Sequence, residues 1–244
     1  MKCICVSRRF HEKALRGSEN KLSIKIFLTK LRRYVVLYII DHGLVRSLYQ
    51  NLHSIGTHYY RSSQPSPRQL RRHTATLKIR TVINLRGENE SSAVWQLEKE
   101  ECERLGLHLI NIRLLSRSFP HPEDINQIIK VLKEISFPVL VHCKSGADRA
   151  GLFSVMYRYI HLNEPLDQSL DELSLRYGHV KFARTGMLDK FFELFQQANS
   201  ATKISLEKWV AEEYDREFLK NEFDKATSLN RFGDFLVNKI LRRE

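Results

Sequence analysis

Cysteine is scarce in this chain: Cys3, Cys5, Cys102 and Cys143 are the only four among 244 residues. So few, and so scattered, they exclude a disulfide scaffold, and no Cys-x-x-Cys pair or His/Cys cluster has the spacing of zinc ligands. The expectation is a reducing, cytoplasmic setting with no metal and no cofactor. Glycine and proline are also sparse, at 10 and 6 residues, beside 42% hydrophobic residues. That balance excludes fibrous and disordered classes and leaves an ordinary globular core. Long apolar runs are missing as well. The longest near the front, from Tyr34 to Ile40, falls far short of the roughly 20 residues of a spanning helix. The first residues also lack the apolar stretch and cleavage site of a secretory signal.

Acidic residues are the remaining shortage, and it is local. Residues 1–66 carry 12 Lys/Arg against three Asp/Glu, in a chain whose formal net charge is +12. A basic front of this kind attracts phosphate-bearing partners. A phosphorylated protein, a phosphorylated lipid or inositol and an anionic membrane face are the partners expected; nucleic acid is not. Within the front, Ile24, Phe27, Leu28, Leu31, Val35 and Tyr38 recur at helical spacing, with Lys25, Lys30, Arg32 and Arg33 between them. This predicts a basic amphipathic helix that either packs on a core or lies on a membrane surface, attaching the protein peripherally.

The rest of the chain alternates strand and helix signals. Residues 55–67 read as one short strand and a turn, and Ser66-Pro67 starts a helix to about Lys78. Thr81 to Arg86 is a buried strand, and a helix capped by Ser91 or Ser92 stops at Gly106. LHLINIRLL resumes strand character. Ile125, Ile128, Ile129, Leu132 and Ile135 share a helical face, and Val139-Leu140-Val141 is a central strand. The order predicts an α/β fold with a mainly parallel four- or five-stranded sheet between helices. After Pro165 the pattern is helical: a segment ending at Tyr177-Gly178, one around Met187 to Gln197, a charged helix from about Ile204 to Lys225, and a short closing helix. The expected organisation is a basic helical extension over 1–54, a core domain over 55–200 and a helical tail over 201–244.

In VLVHCKSGADRAG, a cysteine ends a predicted strand and an arginine six residues later begins a predicted helix. A loop of that length curls its backbone N–H groups inward, and the helix N-terminus adds partial positive charge. Lys144, Ser145, Gly146 and Ala147 are therefore expected to bind phosphate, with Gly146 allowing the tight turn. The same environment stabilises a thiolate on Cys143, while Arg149 holds two phosphate oxygens with its planar fork.

HCKSGADRAG resembles the H-C-x-x-G-x-x-R loop of the cysteine-based protein tyrosine and dual-specificity phosphatases. YRSSQPSPRQL and IRTVINLRGE are similar to the front of the atypical, inositol-phosphate branch, and the likeness spans about residues 55–190. It implies a dual-specificity-phosphatase-like fold, with Cys143 as nucleophile and Arg149 as phosphate clamp of a phosphocysteine intermediate. Two departures stand out. Ala150 replaces the Ser or Thr that most members place after the arginine, which slows breakdown of the intermediate unless Ser145 substitutes. No Asp lies between Asp41 and Asp124, where the family places its general acid. Asp148 resembles the D-R of myotubularin-like lipid phosphatase loops and is the first candidate, followed by Asp124 and Glu123. His142 is read as structural. Arg117 and Lys144 are candidates for contacting a second phosphate, and Arg61 and Arg86 are further candidates for that rim. Three readings remain: a protein tyrosine or dual-specificity phosphatase, a phosphoinositide, inositol-phosphate or membrane-lipid phosphatase, and a catalytically weak phosphate-binding module.

Overall fold

A computed structural model describes residues 24–41 and 43–227. The basic charge of the first 23 residues, Cys3, Cys5 and the closing helix expected at the C-terminus lie outside them. The first helix, α1 (24–35), runs on through a widened π turn, Val36–Ile40. A short α2 (Gly43–Leu48) leads into a hairpin of β1 (His53–Ile55) and β2 (Tyr59–Ser62). Then follow α3 (Pro67–Leu77), β3 (Thr81–Asn84), α4 (Ala93–Leu105), β4 (His108–Asn111), α5 (Pro122–Glu134), β5 (Val139–His142) and α6 (Asp148–Met156). The C-terminal part is helical: α7 (Leu166–Ser169), α8 (Met187–Thr202), α9 (Leu206–Glu212) and α10 (Arg216–Thr227).

Local chemistry sets the element ends. Ser66 caps α3 through a reciprocal box with Gln69, and Pro67 fills a first-turn position that needs no N–H donor. Ser92 caps α4, and Gly106, at φ 67°, closes it in the left-handed conformation.

The five strands lie in the order β1-β2-β5-β3-β4, all neighbours parallel except the β1-β2 hairpin. This is the mainly parallel five-stranded α/β arrangement that the sequence led us to expect. β5 is central, and all four of its residues are buried, as expected of a parallel strand covered on both faces. Strand alternation sends Val139, Val141 and Ile83 into a large core with α5, α6, α8 and α9, and sends Leu140 and Val82 to the opposite face with Leu70 and Cys102.

Three local expectations need correction. Residues 55–67 do not hold one strand: Gly56, at φ 65°, helps turn a hairpin whose first strand begins at His53. The helix expected over about 204–225 is two, because the chain breaks at Glu213 and restarts at Arg216. The segment ending at Tyr177-Gly178 is only a single α turn followed by two 3-10 turns.

Candidate active site

β5 delivers Cys143 to the C-terminal edge of the sheet, and α6 begins five residues later at Asp148. Ligands in open parallel sheets bind at that edge. Between strand and helix, four successive loop carbonyls are held from outside. The Lys144 oxygen accepts the Gln64 backbone N–H at 3.2 Å, and the Ser145 oxygen accepts Asn51 Nδ2 at 2.9 Å. The Gly146 and Ala147 oxygens both accept the Arg61 guanidinium, at 2.8 and 2.9 Å. With its carbonyls turned outward, the loop turns its N–H groups toward the cysteine side, and Gly146 N–H points at Cys143 Sγ from 3.2 Å. Gly146 sits at φ 77°, and a Cβ there would fall 2.7 Å from the Ser62 and Ser63 backbone; only glycine fits.

Arg61 is not at a rim, as the sequence suggested, but is wholly buried behind the loop. Its guanidinium also pairs with Glu172 Oε2 at 2.7 Å and stacks 3.9 Å over the Tyr177 ring. A buried cation needs such compensation. Asn51 had no sequence reading at all. It occupies the left-handed region at φ 47° and spans from the Ser145 oxygen to the Tyr177 oxygen.

Arg86 is likewise engaged elsewhere. It is half-buried and forked onto Asp41, with a further hydrogen bond to Gln64 Oε1 at 2.9 Å. Gln64 donates to Glu98 Oε1, which lies 2.7 Å from His142 Nε2, and His142 Nδ1 lies 3.4 Å from the Cys143 carbonyl. A polar chain thus runs from Asp41, just past the π turn, to His142 beside Cys143.

Asp148 is buried, with Oδ1 2.8 Å from His179 Nδ1; the other ring nitrogen lies 2.7 Å from Asp189 Oδ2. Burial works to lower the imidazole pKa, but hydrogen bonds and charges from the two carboxylates outweigh it and raise the pKa to about 8. At neutral pH both nitrogens therefore donate. Arg149, also buried, follows in the first turn of α6, and Ala150 is enclosed by the core. Lys144 and Ser145 are half-exposed.

Arg117 comes from a different element, the segment between β4 and α5. Asp124 is in the first turn of α5, where its carboxylate accepts the His121 N–H and burial raises its pKa. Glu123 precedes it on the same turn. Cys102 has no place in the site: burial, then Glu98 and Glu101, push its thiol far above the usual range. Among the described residues, no cluster of His, Cys, Asp and Glu has the makings of a metal site.

Residues 51–188 match a family described as PTP-NADK, DSP-PTPase phosphatase fused to NAD+ kinase. The match covers more than half of the chain. The chain belongs to this phosphatase family. The matched segment of the phosphatase begins at Asn51 and includes the whole loop and the contact of His179 with Asp148. Three similar solved structures are distant in sequence. TpbA of P. aeruginosa is 20% identical over 64% of this chain and 92% of its own, with a TM-score of 0.47. PTPMT1 is 17% identical over 62% and 99%, with a TM-score of 0.45. The core catalytic domain of the PP-IP phosphatase SIW14 from S. cerevisiae, in complex with citrate, is 19% identical over 63% and 93%, with a TM-score of 0.48. No curated protein matches the phosphatase in sequence.

Proposed function

We propose that this phosphatase hydrolyses phosphomonoesters through a cysteinyl phosphate formed on Cys143. The observation that carries the reading is the loop itself, whose carbonyls at 144, 145, 146 and 147 are all held from outside. Such a loop presents N–H groups to an anion without reorganising when the anion arrives, and that is where electrostatic catalysis gains most. The phosphoryl group sits on those amides, with Arg149 bridging two of its oxygens. The Cys143 thiolate attacks phosphorus, the S–P bond forms, and the ester P–O bond breaks. Asp148, whose Oδ1 accepts the His179 imidazolium N–H, relays that proton to the departing oxygen. His179, held between Asp148 and Asp189, is the nearby proton reserve for that carboxylate. A water then attacks the cysteinyl phosphate, returns a proton to Asp148, and releases phosphate and the thiolate.

Phosphorylated protein side chains are the first substrate class, in keeping with a protein tyrosine or dual-specificity phosphatase. A second class, phosphorylated lipids and inositol phosphates, is favoured by Lys144, a half-exposed ammonium on the phosphate loop itself. A non-hydrolysing binding module is the third reading, favoured by Ala150.

The test uses purified protein with phosphotyrosine peptides, inositol phosphates and phosphorylated lipids, beside Cys143→Ser. The expected result is hydrolysis of at least one class by the wild type, no turnover by Cys143→Ser, and phosphate binding retained in both. Turnover by Cys143→Ser would remove the covalent mechanism. Binding without hydrolysis of any class by the wild type would select the binding module.

A further inference from the structure

The outer face of α1 is an apolar stripe without a protein partner in the described structure. Ile24, Phe27, Leu28, Leu31 and Val35 fall on one side of the helix and are 45 to 66% exposed. The opposite side faces α4. Leu37 is buried there with Val94 and Leu97, and Arg33 and Lys30 both pair with Glu100. The helix is therefore held on the core by its other face, and its stripe points outward. The apolar surface continues through Ile39 and Ile40 of the π turn to Leu44, at 63, 67 and 60% exposure. Patches of this extent mark interaction sites on soluble proteins.

Charge identifies the occupant. Residues 24–40 include Lys25, Lys30, Arg32 and Arg33 and no Asp or Glu. At 100° per residue, Lys25 and Arg32 flank the stripe on one side, and both are exposed. A second copy would set like charge against like. A single convex helix with an apolar ridge and a basic margin matches a plane that is apolar within and anionic at its surface.

We infer that α1 is a docking helix that seats the protein on an anionic lipid surface through Ile24, Phe27, Leu28, Leu31 and Val35. The helix leads to Asp41, which grips Arg86 just past the C-terminal end of β3, the sheet edge that carries Cys143. Docking thus sets the active-site edge beside the surface, whichever phosphate ester is hydrolysed there.

Sedimentation of the full chain with phosphatidylcholine vesicles, with and without phosphatidylglycerol, tests this. The wild type should co-sediment with the anionic vesicles and be released by high salt. Phe27→Glu with Leu31→Glu should lower binding by roughly tenfold or more, since both side chains leave an apolar phase. Lys25→Glu with Arg32→Glu should weaken binding to anionic vesicles only. All variants should keep the wild-type melting temperature and rate on p-nitrophenyl phosphate, which separates docking from folding and catalysis. Three results would each overturn the inference. One is absence of wild-type binding, or binding unchanged by Phe27→Glu with Leu31→Glu. Another is a wild-type dimer that this variant dissociates, which makes a second copy the occupant. The third is a lower melting temperature in the same variant, which means another part of the chain covers the stripe.

Discussion

Without its guanidinium, position 61 would leave the Gly146 oxygen buried and unanswered, the Ala147 oxygen with only the Gly151 N–H, and the buried Glu172 carboxylate with only Arg158. Arg61→Ala should therefore cost about 3–5 kcal/mol of stability, the usual penalty for half of a buried pair, seen as a lower denaturation midpoint. Arg61→Lys keeps the charge but not the fork, so it should fold with phosphate affinity reduced several-fold. Asp148→Asn is a different case: it should slow alkyl phosphates far more than activated aryl phosphates, whose leaving group needs little protonation. Equal loss on both would make Asp148 a support for the loop and turn attention to Asp124 and Glu123. In the mechanism proposed above, Ala150 bears on the second half-reaction. Rapid mixing with p-nitrophenyl phosphate should show a burst of aryl alcohol, and Ala150→Ser should raise the steady rate and shrink the burst. Cys143 and Arg149 were legible in the sequence because loop, strand end and helix start are contiguous. Arg61, Asn51 and Glu172 were not, because the contacts that tie them to the loop and to one another span 85 to 126 residues. An isolated arginine in a strand reads the same whether it faces solvent or a buried loop.

Helices α6 and α8 are tied together by His179, which bridges Asp148 on one and Asp189 on the other. The folded-state pKa of about 8 exceeds the ordinary 6.5. The tie's stabilisation is thus fully present below about pH 6.5 and is lost as pH rises through 8. The difference corresponds to on the order of 2 kcal/mol. The melting temperature should fall across that window, and His179→Gln should flatten the fall. A second tie joins the start of α10 and the turn before it to the segment carrying Arg117. Tyr214 donates to the Pro120 oxygen at 2.8 Å, and Arg216 reaches the Phe119 oxygen and Ser118 Oγ at 3.0 and 2.7 Å. Tyr214→Phe should cost about 1 kcal/mol and speed amide exchange at residues 117–121. Helix limits such as Ser92 and Gly106 were readable because caps are local chemistry. The break at Glu213 was not, since the turn there is made by packing Trp209 and Tyr214 onto Phe191.

On the scale of the molecule, the tail is part of the main core. Leu206, Trp209, Val210 and Tyr214 are buried with Phe191, Phe192 and Phe195 of α8 and with Ile125 and Ile128 of α5. The family match ends at residue 188, so a chain cut there loses one side of its core and should be insoluble or unfolded by circular dichroism. Sheet type and strand sequence were legible from the alternation of apolar runs and helix caps. That the tail closes the core was not, because amphipathic periodicity shows that a helix has an apolar face without showing what covers it. The outward-held carbonyls carry a final consequence for the enzyme's economy of substrate and product. If, as proposed, the loop is shaped during folding to hold a tetrahedral dianion, it fits free orthophosphate as well as an ester. Orthophosphate should therefore inhibit competitively, with the same inhibition constant against every ester assayed, and turnover should follow the ambient phosphate level as well as the supply of substrate.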